Sequence, residues 1–201
     1  MNVRTIANKV IQEKGGIAKA SEFVEAGLCS YDVVNLCNSG YLERIRNGYY
    51  ELAEENSVSE DQLISKLLPE GIICMESAFF HYGYSDFTPR KWSITVPRTV
   101  SRSKIPDDVL YMQTYYVQPS IYELGKTMDE FSGIVLPVYD RERTICDCFK
   151  YRSRLDSEIF NKTLHAYVKD EQKNLQNPFE YAKKMRVQNK LYELMEVLLN
   201  E

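Results

Sequence analysis

Tyr31, Asn35 and Asn38 recur at i, i+4 and i+7, a spacing that puts all three on one face of a helix. An Asn amide there can pair bidentately with the N6 and N7 edge of adenine, and a phenol can bond a base or a phosphate. A few residues on, Arg44 and Arg46 precede Asn47-Gly48, and Tyr49 follows it. Two guanidinium groups and a phenol beside a tight turn suit phosphate oxygens or an adjacent minor groove.

The elements needed to carry these residues are legible around them. Val3, Ile6, Val10 and Ile11 fall at helical spacing and Gly15-Gly16 ends the run, predicting a first helix from about Arg4 to Lys14. Ala20, Phe23 and Val24 make the inward face of a second, stopped at Gly27. Ser30 is placed to cap a third, with Val33, Leu36 and Cys37 facing the core. Asn47-Gly48 then joins two strands, Tyr41 to Arg46 and Tyr49 to Leu52, and a helix-turn-helix with a hairpin is a winged helix. Simple hairpin counting sets Arg46 opposite Tyr49, Ile45 opposite Tyr50, Arg44 opposite Glu51 and Glu43 opposite Leu52. Arg44, Arg46 and Tyr49 are then on the outer face of the wing.

Charge argues for restraint. Residues 1–52 hold six Lys or Arg and six acids, and the 201-residue chain carries a net charge of −4. A polycation that coats nucleic acid is excluded, and winged helices also dock proteins, so both uses of this module stay open. Two stretches are locally basic. One holds Arg90, Lys91, Arg98, Arg102 and Lys104; the other holds Arg141, Arg143, Lys150, Arg152 and Arg154. Either they engage phosphates or they solvate a face.

At 44% hydrophobic and 27% charged, the chain is that of a folded protein long enough for one domain and a smaller one. The acidic stretch AEENSVSED marks a connector, predicting a DNA-binding domain over 1–53, a linker over 54–61 and a larger domain over 62–201. In the latter, Leu63 to Leu68 and Ile72 to Tyr82 read as helices. Strands are expected around Trp92 to Val96, Val109 to Val117, Ile121 to Leu124 and Gly133 to Val138. Helical periodicity then runs from Asp140 through Leu191, Leu194, Met195 and Leu198, so the predicted class is α+β.

Enzyme signatures are missing: no P-loop, G-x-G-x-x-G, G-x-S-x-G or H-E-x-x-H occurs. His81 and His165 sit in apolar helical contexts that suit hydrogen-bonded packing. Five cysteines without C-x-x-C read as mostly buried, reduced thiols, and Cys146 and Cys148 diverge too far on a helix to share a metal ion. A divalent-ion nuclease built on Asp107 with Glu171 and Lys173 is the weakest alternative. The longest aliphatic run, Ile134 to Val138, is far short of a membrane span, and no apolar leader opens the chain, so a cytoplasmic protein without cofactor or metal is expected.

Three motifs together resemble the AbiEi family of antitoxins: GYLERIRNGYY from Gly40, GIICMESAFFHYG from Gly71 and DRERTICDCFKYR from Asp140. The similarity spans essentially the whole chain. It implies an antitoxin from an abortive-infection operon that counters a nucleotidyltransferase toxin in the type IV manner, without a stable complex. It also implies a repressor, monomeric in solution, whose winged helix binds inverted repeats in double-stranded DNA of its own promoter. Carried onto this chain, the likeness supports Arg44, Arg46 and Tyr49 as wing contacts and Tyr31, Asn35 and Asn38 by position. In the third motif, Asp140 is placed to cap a helix and Asp147 to pair with Arg143.

Overall fold

The computed structural model describes residues 2–53, 58–106, 111–174 and 176–192. Linker positions 54–57, the expected strand start at Val109 and Leu110, Asp107 of the nuclease alternative, and the helix positions Leu194, Met195 and Leu198 lie outside the described residues. The chain is mixed α+β and divides into two compact units: Met1–Pro69 with Ser103–Leu110, and Glu70–Arg102 with Tyr111–Glu201.

In the first unit, α1 (Val3–Glu13) is capped by Asn2 and buries Ala7, Val10 and Ile11. β1 (Ala18–Lys19), α2 (Ala20–Glu25), α3 (Ser30–Asn38), β2 (Leu42–Arg46) and β3 (Tyr49–Leu52) follow, and the strands form an antiparallel sheet in the order β1-β3-β2. That order of helices and strands is a winged helix-turn-helix. Phe23 is fully buried at its centre, edge-on to Tyr50. Three local expectations change. Val24 is 54% exposed, because the six residues of α2 bury only Phe23. Cys29, itself exposed rather than buried, is the N-cap of α3, and its backbone N–H donates to Asp32 Oδ2 at 2.8 Å. Ser30 is the first helical residue instead.

The hairpin register also differs from simple counting. Arg46 faces Tyr49, but Arg44 faces Tyr50, Glu43 faces Glu51 and Leu42 faces Leu52, with the ladder skipping Ile45. Gly48 takes φ of +81° while Asn47 does not enter positive φ, so the turn lacks the two left-handed residues of a type I′ hairpin. An extra residue in β2 accommodates this as a bulge. The first unit runs past residue 53 to Pro69, because α4 (Glu60–Leu67) buries Ile64 and Leu67 and needs a core to cover them.

The second unit holds a five-stranded sheet in the order β6-β5-β4-β8-β7, built from β4 (Ile72–Ile73), β5 (Trp92–Pro97), β6 (Met112–Val117), β7 (Lys126–Phe131) and β8 (Ile134–Tyr139). β5 and β6 are parallel, as are β4 and β8; the other pairs are antiparallel. Around it lie α5 (Met75–His81), α6 (Pro119–Tyr122), α7 (Arg141–Lys150), α8 (Ser157–Lys169) and α9 (Asn177–Met185). Ile72 and Ile73 begin a strand, not a helix, since two fully buried β-branched residues fit a central strand. Residues 121–124, expected as a strand, instead follow Pro119 at the start of α6. β7 was not expected, because its residues are mostly exposed and polar. His81 Nε2 meets Asp129 Oδ2 at 2.9 Å and stacks on Phe131, whereas His165 is exposed, not packed.

Asp140 Oδ1 accepts the backbone N–H of Arg143 at 2.7 Å, and Arg143 Nε donates to Asp147 Oδ2 at 3.1 Å inside the core. Arg143 Nη1 also donates to the carbonyls of Ile121 and Leu124. Burial pushes the Asp147 carboxyl up and the Arg143 guanidinium pulls it back. Removing one partner strands the other charge. Asp147→Ala is therefore expected to cost about 3–5 kcal/mol, and Arg143→Met with Asp147→Leu to recover most of it, as read from denaturant unfolding. Gly125, at φ of +73°, would place a Cβ 2.5 Å from Arg143 Cβ. Gly125→Ala is expected to lower the melting temperature markedly in a thermal scan.

Candidate nucleic-acid interface

α3 is a short helix with a narrow buried side, Val33 and Leu36, so the rest of its surface faces solvent. Tyr31 is 71% exposed, and Asn35 and Asn38 are exposed beside it. Val34, 52% exposed, completes the stripe between Tyr31 and Asn38. The sequence reading passed over Val34 because an apolar residue next to an inward one is ordinarily assigned to the core. Asp32 is not free to contact a ligand: hydrogen bonds from the Cys29 thiol and then its backbone N–H hold the carboxyl below its usual range.

The wing places its residues unequally. Arg44 is exposed, with Nη2 donating to the side-chain oxygen of Asn47, itself exposed. Tyr49 is half-buried and Lys19 Nζ stands 5.8 Å from its ring centroid. Arg46 does not reach into solvent as expected. Its Nη2 donates to the carbonyls of Ser103 at 2.9 Å and Ile105 at 3.0 Å, and Nη1 to that of Lys104 at 3.3 Å. Arg46 sits across from Tyr49 at the turn, as simple counting has it, and clasps the 103–105 segment of the same unit. Lys104, exposed, is thereby held beside the wing. Lys19 is a contact that the sequence does not signal, since it is far from the hairpin in the chain, and Lys104, expected within a basic stretch, is brought to the wing only by the fold.

Glu51 lies opposite Glu43 on the wing, and burial together with that neighbour raises its carboxyl above the ordinary range. This flank offers nothing to a phosphate.

The expected basic stretches do not act as blocks. Arg90, Lys91, Arg98 and Arg102 are exposed on the second unit, while Lys104 belongs to the first. Arg143 is fully buried, and Arg141 Nε is bound to Asp170 at 2.9 Å. Lys150 is half-buried, and Arg154 is exposed. Arg152 donates to Leu155 O and Ser157 Oγ and lies over the Phe160 ring, which makes it a strut between α7 and α8. Among the described residues, no group of His, Cys, Asp or Glu side chains is arranged to hold a metal ion, and Cys146 and Cys148 are both fully buried. Among them, too, no helix is long and apolar enough to cross a membrane.

No family model matches the chain, and no curated protein matches it. Among solved structures it is similar to the crystal structure of the RV2827C protein from Mycobacterium tuberculosis, with a TM-score of 0.61 and 14% identity. The match covers 90% of this chain and 70% of that one. At that identity the likeness is one of fold.

Proposed function

We propose that the chain is a sequence-reading repressor of its own promoter and the antitoxin to a nucleotidyltransferase toxin. The observation that carries the DNA reading is the exposed α3 stripe of Tyr31, Val34, Asn35 and Asn38 on a winged helix whose Arg44 is also exposed. Laid in the major groove, α3 offers Asn35 and Asn38 to adenine edges and Val34 to a thymine methyl. Arg44, Asn47 and Tyr49 meet the backbone beside the groove, with Lys19 and Lys104 as further phosphate contacts. Two copies on an inverted repeat would present two such helices. The antitoxin part rests on the resemblance of the three motifs and is assigned to the second unit.

One observation favours protein docking as a second reading: Val24, Val34 and Tyr31 are all exposed apolar side chains on the helix-turn-helix. Co-purification of a protein partner from a nuclease-treated lysate, with loss on Val34→Asp, would select it.

In a gel-shift titration with the promoter repeat, Asn35→Ala and Asn38→Ala are each expected to lose about 1–3 kcal/mol of preference for operator over random duplex. Random-duplex affinity should stay nearly unchanged. If specificity survives both changes, α3 does not read DNA. Arg44→Ala should weaken all sequences alike and flatten the log K against log salt slope by about 0.9. Arg46→Ala acts differently: releasing the 103–105 carbonyls, it should speed amide exchange across that segment. The full chain carrying Asn35→Ala, Asn38→Ala and Arg44→Ala should still rescue growth against the neighbouring toxin gene; failure to rescue would tie antitoxicity to DNA binding.

A further inference from the structure

A cavity of about 250 Å³ opens within the first unit where the end of α1, the strand β3 and the start of α4 meet. Gln12 and Gly16 line it from α1 and the turn that closes it, Glu51 and Leu52 from β3, and Val58 and Gln62 from the approach to α4 and its first turn.

Its walls are set by the ends of the two helices. Gly16 takes φ of +93°, and a Cβ there would stand 3.3 Å from Val58 Cγ2, so a bare backbone lets the turn after α1 come this close to the start of α4. Gln62 is fixed by the cap of α4: its Oε1 accepts the Ser59 backbone N–H at 2.8 Å, and Ser59 Oγ accepts the Gln62 backbone N–H at 3.3 Å.

The charge at these walls is negative. Glu51 brings a carboxyl whose cross-strand neighbour is Glu43, and among the described residues no ion pair engages either of them. Burial and Glu43 together push that carboxyl above its ordinary range, and no cation offsets them. Lys14, which precedes the glycine turn, is taken by Glu22 at 3.3 Å. The C-terminal end of α1, where aligned peptide dipoles leave partial negative charge, lines the cavity, and its last turn holds no basic residue. The N-terminus of α4 would by itself favour an anion, but Glu60 and Asp61 in its first turn already answer it.

We infer that this cavity binds a small organic cation, an ammonium or guanidinium carried on a short alkyl stem. The head pairs with Glu51 at the C-terminal end of α1, with the Gln12 and Gln62 amides beside it, and the stem lies against Leu52 and Val58. A hard metal ion suits the same walls poorly, since it asks for about six oxygen ligands and has no use for apolar ones, and Glu51 is the one carboxylate in the lining. The volume falls below the ~300–1,000 Å³ of sites for drug-sized ligands, which restricts the occupant to a small molecule. None of the proposed DNA contacts lines the cavity, so the inference stands or falls apart from the repressor reading.

The test is isothermal titration calorimetry of the full chain with agmatine, which carries a guanidinium and an ammonium on one alkyl stem. Butanol serves as the uncharged stem and magnesium chloride as the bare cation, all at one ionic strength. A single saturable site for agmatine is expected. Glu51→Gln should weaken it at least tenfold, whereas Glu171→Gln, an equal change of charge at an exposed position of the second unit, should leave it within twofold. The first variant keeps the shape of the side chain and removes a like-charge pair, so its thermal melt should match or exceed that of the parent. Val58→Phe, which narrows the cavity without touching its charge, should also weaken agmatine at least tenfold. The inference is overturned if agmatine gives no saturable heat, or if Glu51→Gln and Glu171→Gln weaken it equally, which would assign binding to the acidic chain as a whole. It is also overturned if butanol binds as tightly, or if magnesium displaces agmatine at equal concentration.

Discussion

The second unit depends on a helix that buries charge along nearly its whole length. From Glu142 to Phe149 every residue of α7 is buried, including Glu142, Arg143, Thr144 and Asp147. Each of these polar side chains is met by a particular element. Glu142 Oε1 accepts from the Asn174 backbone, Thr144 Oγ1 donates to the Tyr139 carbonyl, and Arg143 ties itself to Asp147, Ile121 and Leu124. Tyr181 on α9 donates to the capping Asp140. Apolar residues of the same volume would pack with fewer conditions, since a buried pair returns little net stability once its desolvation is counted. What the charges do here is restrict the arrangement: the carbonyls of Ile121 and Leu124 must be in place for Arg143 to make its bonds, and even then Arg143 Nη2 and Asp147 Oδ1 are buried without a partner. Gly125 shows how tight that arrangement is, as its missing side chain is the space that Arg143 occupies.

The first unit solves a different problem with few charges. The exposed side of α3 offers amides, a phenol and a valine, groups that can discriminate between bases without contributing much long-range attraction. A surface of this kind would gain specificity from geometry and comparatively little affinity from counterion release. The diversion of Arg46 is consistent with that economy of charge. A guanidinium bound to three carbonyls fixes the 103–105 segment and sets Lys104 beside the wing.

Much of this was legible in the sequence where a local signal decides the structure. Helical spacing and the Gly27 stop found α1, α2 and α3, and the solvent side of α3 followed from its inward stripe. Asp140 as cap and Asp147 as partner of Arg143 were read from i, i+3 and i+4 positions, which helix geometry fixes without tertiary information. Apart from the Cys29 cap and the Pro119 helix start, which are local, the failures share a cause: register and burial are settled by partners distant in the chain. A bulge at Ile45 cannot be seen in Asn-Gly, β7 lacks the apolar alternation of a half-buried strand, and Ile72-Ile73 looks helical until β5 and β8 flank it. The tie between residues 103–105 and the first unit is likewise invisible, because it depends on where one arginine points.

The same reasoning explains why contiguous basic stretches are poor guides to a basic surface. Between Arg90 and Lys104 the chain passes along a strand, around a turn and into the other unit, so neighbouring cations are dispersed. In the stretch from Arg141 to Arg154, helix geometry turns Arg143 into the core and Arg141 toward Asp170, leaving Lys150 and Arg154 outside the core. The parallel pairing of β5 and β6 likewise separates cations, setting Lys91 beside Tyr111 at one end of the ladder and Arg98 at the other. Where a cation ends up is therefore decided by the strand or helix that carries it and not by its neighbours in the chain.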